Sequence, residues 1–151
     1  MKNFKTKEPV VETPKATRLG GSVKDYMATN LITFRPDTPI LDAIATLVEK
    51  KISGAPVLNE KKEVVGMIDE KDCMRVLIER SYHSQPVRDG VAADYMDSVM
   101  RSISSKSDIL DVANIFLETS YKRLLVVDKF GKLIGQISRS DALRAILDLE
   151  K

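Results

Sequence analysis

The chain has 151 residues, of which 43% are hydrophobic and 30% charged, a balance typical of a globular protein. Its net charge of +2 is too small to predict a nucleic-acid partner, and its single cysteine, Cys73, excludes an internal disulfide and a multi-cysteine metal site. No apolar run approaches the ~18 residues of a membrane span, so we expect no membrane partner and a cytoplasmic location.

The chain contains an internal duplication. Asp25-Tyr26-Met27 recurs as Asp94-Tyr95-Met96, a shift of 69 residues, and the same shift maps Ile40-Leu41-Asp42 onto Ile109-Leu110-Asp111. Repeated matches at one fixed shift predict two copies of one supersecondary unit. The predicted organisation, in chain order, is a flexible tail (1–22), a first repeat (23–80), a linker (81–91) and a second repeat (92–149).

Each copy is predicted to be a βαββα unit. It opens with a short apolar strand, at 31–34 and 100–103, and a helix follows with Thr38 or Ser107 as its N-cap. Two further strands and a second helix complete the copy. One unit of about 55 residues buries little surface by itself. We therefore expect a single globular α/β (α+β) module in which the two repeats pack with pseudo-two-fold symmetry.

Four segments in this order resemble the tandem cystathionine-β-synthase (CBS) domain pair, also called a Bateman module. They are Val23-Lys24-Asp25-Tyr26-Met27, Asp37-Thr38-Pro39-Ile40, Ile52-Ser53-Gly54-Ala55-Pro56-Val57 and Gly135-Gln136-Ile137-Ser138-Arg139-Ser140-Asp141. The resemblance covers about residues 23–149. It implies clefts between the two copies that bind adenosine-containing ligands, and a role in regulating another protein.

The strongest candidate ligand residues are Ser138 and Asp141, where a predicted strand ends and a helix begins. Free backbone N–H groups and the helix dipole favour an anion at such a place. The resemblance assigns Asp141 to ribose and Ser138 to phosphate, and it gives Lys122 and Arg123, just before a strand, contacts with phosphate. The alternatives are a Ser-x-x-Asp capping box and a solvated basic pair beside Glu118.

By resemblance, five further residues form the base pocket of this cleft, with ordinary strand-edge packing as the alternative: Asn30, Ile32, Ile52, Ser53 and Gly54. A second cleft is assigned Asp69, Asp72 and Tyr121. We expect it to be the weaker of the two, because Asp69 replaces Ser138 and an ionised carboxylate cannot donate to phosphate.

Two functions are compatible with these features. The first is a regulatory sensor of AMP, ADP or ATP, for energy sensing, that changes conformation when the nucleotide binds. The second is a ligand-free dimerisation and scaffolding module. Both predict a homodimer, because the helices of each copy are amphipathic, and both leave room for an unidentified regulated protein. Without an acid–base pair, a metal cluster or a Walker loop, we expect no catalytic or metal-binding residues, no enzyme activity and no cofactor besides the nucleotide as a regulatory ligand.

Overall fold

The structure is a computed structural model that describes residues 22–82, 90–98 and 101–150. The predicted tail, apart from residue 22, and the middle of the predicted linker lie outside these ranges. The described elements, in chain order, are α1 (Val23–Tyr26), α2 (Ile40–Lys50), β1 (Gly54–Leu58), β2 (Val64–Asp69), α3 (Glu70–Tyr82), α4 (Ala92–Tyr95), β3 (Ser102–Ser104), α5 (Ile109–Glu118), β4 (Arg123–Val127), β5 (Leu133–Ser138) and α6 (Arg139–Leu149).

The described residues form two compact units. The first unit holds those of 32–98, and the second holds 22–31 together with 101–150. The mixed helix and strand content agrees with the predicted fold class. The predicted order of strand, helix, two strands and helix is complete in the second copy, and a short helix precedes it in each repeat.

The first unit contains the antiparallel pair β1–β2, in which Gly54 lies opposite Asp69. The predicted opening strand of this copy is reduced to a single parallel bridge between Phe34 and Val57. Pro36 follows two residues after Phe34 and lacks a backbone N–H to donate, and the chain turns there, so the pairing does not extend.

The second unit contains a complete three-stranded sheet in the order β3-β4-β5. β3 runs parallel to β4, with Ser102 opposite Leu125. β5 pairs antiparallel to β4, and Arg123 lies opposite Ser138 at the end where β5 leads into α6. The sheet therefore brings a basic side chain and a helix-capping serine to neighbouring strands.

Each unit has a mainly aliphatic core with one buried phenylalanine, Phe34 in the first unit and Phe116 in the second, in keeping with the 5% of aromatic residues in the sequence. α2 and α5 each turn an apolar stripe inward, which is the burial that helical spacing of Ile, Leu and Val requires. The largest fully buried side chains are Ile40, Val57, Ile68 and Val76 in the first unit and Ile103, Val112, Leu124 and Ile137 in the second.

The short opening helix of each repeat packs in the unit that holds the rest of the other repeat. In the second unit, Ala28 exchanges two backbone hydrogen bonds with Gln136 of β5, at 2.8 and 3.0 Å. In the first unit, Asp97 exchanges two with Met67 of β2, both at 2.9 Å. The repeats of the sequence and the compact units of the structure therefore have different boundaries.

A glycine on each sheet makes this packing possible. A Cβ at Gly135 would lie under 3.0 Å from the sulfur of Met27, and a Cβ at Gly66 would lie equally close to that of Met96. Both glycines are buried. The recurring methionines are thus packing residues, as their repetition in register predicts.

The predicted N-caps of α2 and α5 are wrong, and they are wrong in the same way. The hydroxyl of Thr38 accepts from the backbone N–H of Arg35 at 2.9 Å, and that of Ser107 accepts from Ser104 N–H at 3.3 Å. Each hydroxyl therefore closes the turn before the helix. It accepts from an N–H three residues upstream instead of from an N–H in the first turn of the helix. The N-cap of α5 is Asp108, whose carboxylate accepts from Leu110 N–H at 3.0 Å.

Candidate functional site

The junction between β5 and α6 carries a reciprocal pair of hydrogen bonds. Asp141 N–H donates to the Ser138 hydroxyl oxygen at 3.1 Å, and Ser138 N–H donates to Asp141 Oδ2 at 2.9 Å. This is the capping box that the Ser-x-x-Asp spacing allows, and it satisfies two backbone donors that the helix start would otherwise leave unpaired. Ser138 and Asp141 therefore cap α6, and any ligand that they bind must leave these two hydrogen bonds in place.

The two roles are compatible on hydrogen-bonding capacity. Asp141 Oδ2 receives the Ser138 N–H and Oδ1 receives a guanidinium N–H of Arg144 at 3.3 Å, while each carboxylate oxygen has two lone pairs. The Asp141 side chain keeps 20% of its surface exposed. The Ser138 hydroxyl acts as an acceptor in the box, so its own proton is not used by that bond.

The predicted basic pair flanks this junction. Arg123 begins β4, is half-buried and lies directly opposite Ser138 in the sheet, whereas Lys122 is exposed. We refer to Lys122, Arg123, Ser138 and Asp141 as the Asp141 cluster. The structure thus brings the four predicted phosphate and ribose residues to one end of the second unit's sheet.

The first unit builds the same junction from two carboxylates. Asp72 N–H donates to Asp69 Oδ1 at 3.0 Å, and Asp69 N–H donates to Asp72 Oδ2 at 3.0 Å. Arg75 donates to Asp72 Oδ1 at 3.1 Å. Burial, followed by the charge of Asp69, raises the pKa of the Asp72 carboxyl above its ordinary value, and the backbone bond and Arg75 oppose that rise.

The strand opposite this junction supplies no charge. Gly54 pairs with Asp69, and the Ser53 carbonyl accepts from Glu70 N–H at 3.0 Å. We refer to Ser53, Gly54, Asp69 and Asp72 as the Asp72 cluster. It has the backbone geometry of the Asp141 cluster but acidic or neutral side chains in place of the hydroxyl and the cations.

The remaining predicted residues are distributed over both units. Ile32 and Ile52 pack against the core of the first unit, and Tyr121 packs against the core of the second. Asn30 is exposed and belongs to the second unit. Their assignment to a base pocket or to the second cleft stays a prediction.

One contributor to the charge difference was missed by the sequence analysis. Arg139 is the first residue of α6 and is exposed, and the residue in register with it at the start of α3 is Glu70, also exposed. The shift of 69 residues that paired Asp69 with Ser138 pairs these two as well. Comparing the whole junction between repeats, rather than the motif positions alone, would have found them.

The single cysteine of the sequence follows Asp72 directly. Cys73 is buried, and burial together with the nearby carboxylates of Asp72 and Asp69 raises the pKa of its thiol to about 11. Such a thiol is protonated and a poor nucleophile at neutral pH. Within the part of the chain that the structure describes, no three or more His, Cys, Asp or Glu side chains come together as a metal site requires.

Across residues 22–82, 90–98 and 101–150, no helix combines the length and the apolar character needed to cross a bilayer.

Comparison with protein families gives two matches along the chain. The model described as "CBS domain" matches residues 23–79 and again residues 91–148. These ranges coincide closely with the two repeats read from the sequence.

Two curated relatives match this chain over only part of their own length. The chloroplastic CBS domain-containing protein CBSX2 of Arabidopsis thaliana is 28% identical over 163 residues, covering 87% of this chain and 66% of that protein. Inosine-5'-monophosphate dehydrogenase of Aquifex aeolicus is 30% identical over 119 residues, covering 78% of this chain but only 23% of the enzyme. The chain therefore spans less than two thirds of these relatives.

Two solved structures match this chain over nearly all of their own length. The crystal structure of CBSX2 in complex with AMP has a TM-score of 0.75 and 32% identity, covering 87% of this chain and all of that one (100%). The CBS domain pair of protein MJ0100, in complex with 5'-methylthioadenosine and S-adenosyl-L-methionine, has a TM-score of 0.69 at 20% identity, covering 87% of this chain and 99% of that one. The second likeness concerns the fold alone.

Proposed function

This chain belongs to the CBS domain family, and we propose that it is a regulatory module that binds an adenine nucleotide through the Asp141 cluster. The observation that carries the proposal is the capping box at the start of α6. It fixes a partly exposed carboxylate and a hydroxyl beside Arg123, with acceptor and donor capacity left over. The AMP complex of CBSX2, at 32% identity, supports the choice of ligand class.

In this proposal the two ends of the ligand are recognised by different chemistry. Asp141 accepts hydrogen bonds from ribose hydroxyls, because its carboxylate is an acceptor held in one orientation. The phosphate lies beside the Ser138 hydroxyl and the first N–H groups of α6, where the helix dipole favours an anion. Lys122, Arg123 and Arg139 supply the compensating positive charge.

We propose that the Asp72 cluster binds phosphate poorly. Asp69 carries negative charge at the position that matches the Ser138 hydroxyl, and Glu70 carries it at the position that matches the cation Arg139. Repulsion between two unit charges at 4 Å is about 1 kcal/mol in water and several times larger in a partly buried site. The module therefore takes one phosphorylated nucleotide per chain, and the Asp72 cluster is empty or takes an uncharged ligand such as adenosine.

The competing function, a ligand-free scaffold, is favoured by one observation of its own. Apolar side chains stand exposed on the last helix of each repeat, with between 54% and 69% of their surface accessible: Met74 and Ile78 on α3, and Leu143 and Leu147 on α6. Such faces are what a homodimer or another protein would cover. Light scattering at tens of micromolar, on the order of common assay concentrations, tests the homodimer, and a monomer would contradict it.

The rest of the proposal follows from the same premise. The nucleotide changes the conformation of the module and so regulates a partner, and the chain itself catalyses no reaction. A cytoplasmic location is also part of the proposal, although the plant relative is named as chloroplastic.

A nucleotide panel followed by thermal unfolding separates the two functions. A ligand that binds only the folded protein stabilises it by RT ln(1 + [L]/Kd), about 2.7 kcal/mol at a hundredfold excess over Kd. We expect AMP, ADP or ATP to raise the melting temperature and GMP to leave it unchanged. A tenfold weaker Kd in Asp141→Ala should cut this stabilisation to about 1.4 kcal/mol or less at the same nucleotide concentration, whereas the full shift should persist in the matched variant Asp72→Ala. A dimer whose melting temperature responds to none of these nucleotides would support the scaffold.

A further inference from the structure

The tyrosine of the recurring Asp-Tyr-Met segment has a role in the second unit that the packing of its methionine neighbour does not explain. The Tyr26 hydroxyl donates to Asp148 Oδ2 at 2.6 Å, across the surface between α1 and α6. The bond to Asp148 raises the pKa of the Tyr26 phenol, so the group stays a protonated donor at neutral pH. The ring is thereby fixed against α6.

The fixed ring lies beneath a cation. The guanidinium carbon of Arg144 is 5.6 Å from the centre of the Tyr26 ring, within the range of a cation–π interaction. The same guanidinium donates to Asp141 Oδ1 at 3.3 Å. Tyr26, Arg144 and Asp141 therefore form a continuous chain of contacts that ends on the carboxylate proposed to receive ribose.

We propose that Arg144, braced by Tyr26, is a positioning residue that fixes the rotation of the Asp141 carboxylate for ribose recognition. The inference rests on the proposed function of the Asp141 cluster. The capping bond from Ser138 N–H holds only Oδ2, and Arg144 holds Oδ1, so the two together set the plane of the carboxylate. Arg144 also offsets the carboxylate charge near the phosphate position.

The first unit provides an internal contrast. Arg75 makes the equivalent bond to Asp72 at 3.1 Å. Tyr26 and the tyrosine in register, Tyr95, both pack against the core of their unit, but the Tyr95 ring lies close to Gly90, whereas Tyr26 bonds Asp148 and lies beneath Arg144. The position matching Asp148 holds Glu79, which is exposed. The brace from the opening helix to the arginine thus belongs to the cluster that is proposed to bind a nucleotide.

The test compares AMP with 2',3'-dideoxy-AMP, which keeps the base and phosphate and lacks both ribose hydroxyls. In Arg144→Met we expect AMP affinity, measured by titration calorimetry, to fall roughly three- to tenfold while dideoxy-AMP affinity changes by less than about twofold. Tyr26→Leu should reproduce the effect at about two- to fivefold, the scale of a cation–π contact. Arg144→Lys should restore part of the loss, and Arg75→Met should leave AMP binding unchanged.

The outcomes separate this inference from the function on which it rests. Wild-type protein that binds no AMP, or that does not distinguish AMP from dideoxy-AMP, would overturn the ribose role of Asp141 and the inference with it. If the wild type does distinguish them, equal losses for both ligands in Arg144→Met would overturn the positioning role alone. They would mean that Arg144 contacts the phosphate or only supports the fold.

Discussion

The two units build the same backbone junction and give it opposite charge. In both, a strand leads into a helix through two reciprocal hydrogen bonds of 2.9–3.1 Å, and an arginine one turn later holds the helix carboxylate. The Asp141 cluster surrounds this frame with a hydroxyl and cations, whereas the Asp72 cluster surrounds it with carboxylates. The comparison teaches that the two capping bonds form with either a hydroxyl or a carboxylate at the first position, so the frame does not fix the charge around it. In the proposed function, that charge sets the ligand preference of each cluster.

The largest expected effect is that of removing the ribose carboxylate. Asp141→Ala should weaken AMP binding at least about tenfold, because a hydrogen bond to a charged group contributes roughly 1.5–3 kcal/mol. The fold should survive, since a lost cap costs about 1 kcal/mol. Calorimetry with Asp72→Ala as the matched control measures the difference. A folded Asp141→Ala protein with unchanged affinity would leave Asp141 a capping residue only.

The next effect concerns the exchanged helices, which are the short opening helices α1 and α4. Each packs in the unit that holds the rest of the other repeat. Gly135→Ala should lower the free energy of unfolding by about 1–3 kcal/mol, the usual cost of overpacking a core. Gly66→Ala should cost less, because the three atoms nearest its added Cβ all belong to the flexible Met96 side chain, whereas the Cβ at Gly135 also lies 3.0 Å from the Ala28 carbonyl oxygen. Urea unfolding of both variants tests this order. Equal losses would show that the backbone contact is immaterial.

A smaller effect is expected from exchanging charge between the clusters. Asp69→Ser should strengthen phosphate binding at the Asp72 cluster. The affinity should rise about fivefold if roughly 1 kcal/mol of repulsion is removed. Adding Glu70→Arg should strengthen it further. The stoichiometry of AMP binding by calorimetry reports the new site. Two equivalent AMP sites in the unaltered protein, or no gain in the double variant, would show that charge does not separate the clusters.

The smallest effect is a pH dependence of stability that comes from the Asp72 cluster. Burial raises the folded-state pKa of Asp72, so on raising the pH the unfolded chain loses this proton first. Because the folded state holds the proton more tightly, raising the pH disfavours folding. Asp72 therefore lowers the free energy of unfolding as pH rises from the ordinary aspartate pKa through the raised one. Asp72→Asn should remove that decline in urea titrations between about pH 4 and 7. A decline that persists unchanged in the variant would assign it to other groups.

The sequence could predict that Ser138 and Asp141 lie together, because they are three positions apart at one helix start. Arg123 was assigned to the same place by resemblance, and the antiparallel pairing of β4 and β5 places it opposite Ser138, while the ligand role of all three residues stays a prediction. The capping hydroxyls of Thr38 and Ser107 were assigned wrongly because a hydroxyl near a helix start can accept from either side, and spacing does not decide which N–H is closer.

The exchange of opening helices could not be predicted in the same way. Met27 and Met96 are identical, and so are Gly66 and Gly135, so each methionine is as well suited to the glycine of its own copy as to that of the other. A duplicated sequence carries no signal that distinguishes the two pairings. Chain connectivity and three-dimensional packing decide it, and neither is visible in a repeat alignment.

The exchange has a consequence for the order in which a ribosome can finish the two units. The first unit has all its described residues once residue 98 has emerged, and domains fold as units during synthesis at about 5–20 residues per second. α1 is made before any of these residues, yet its partner Asp148 lies 122 positions after Tyr26. α1 therefore has neither β5 nor α6 to pack against until nearly the whole module has been translated. It is then among the last elements to dock.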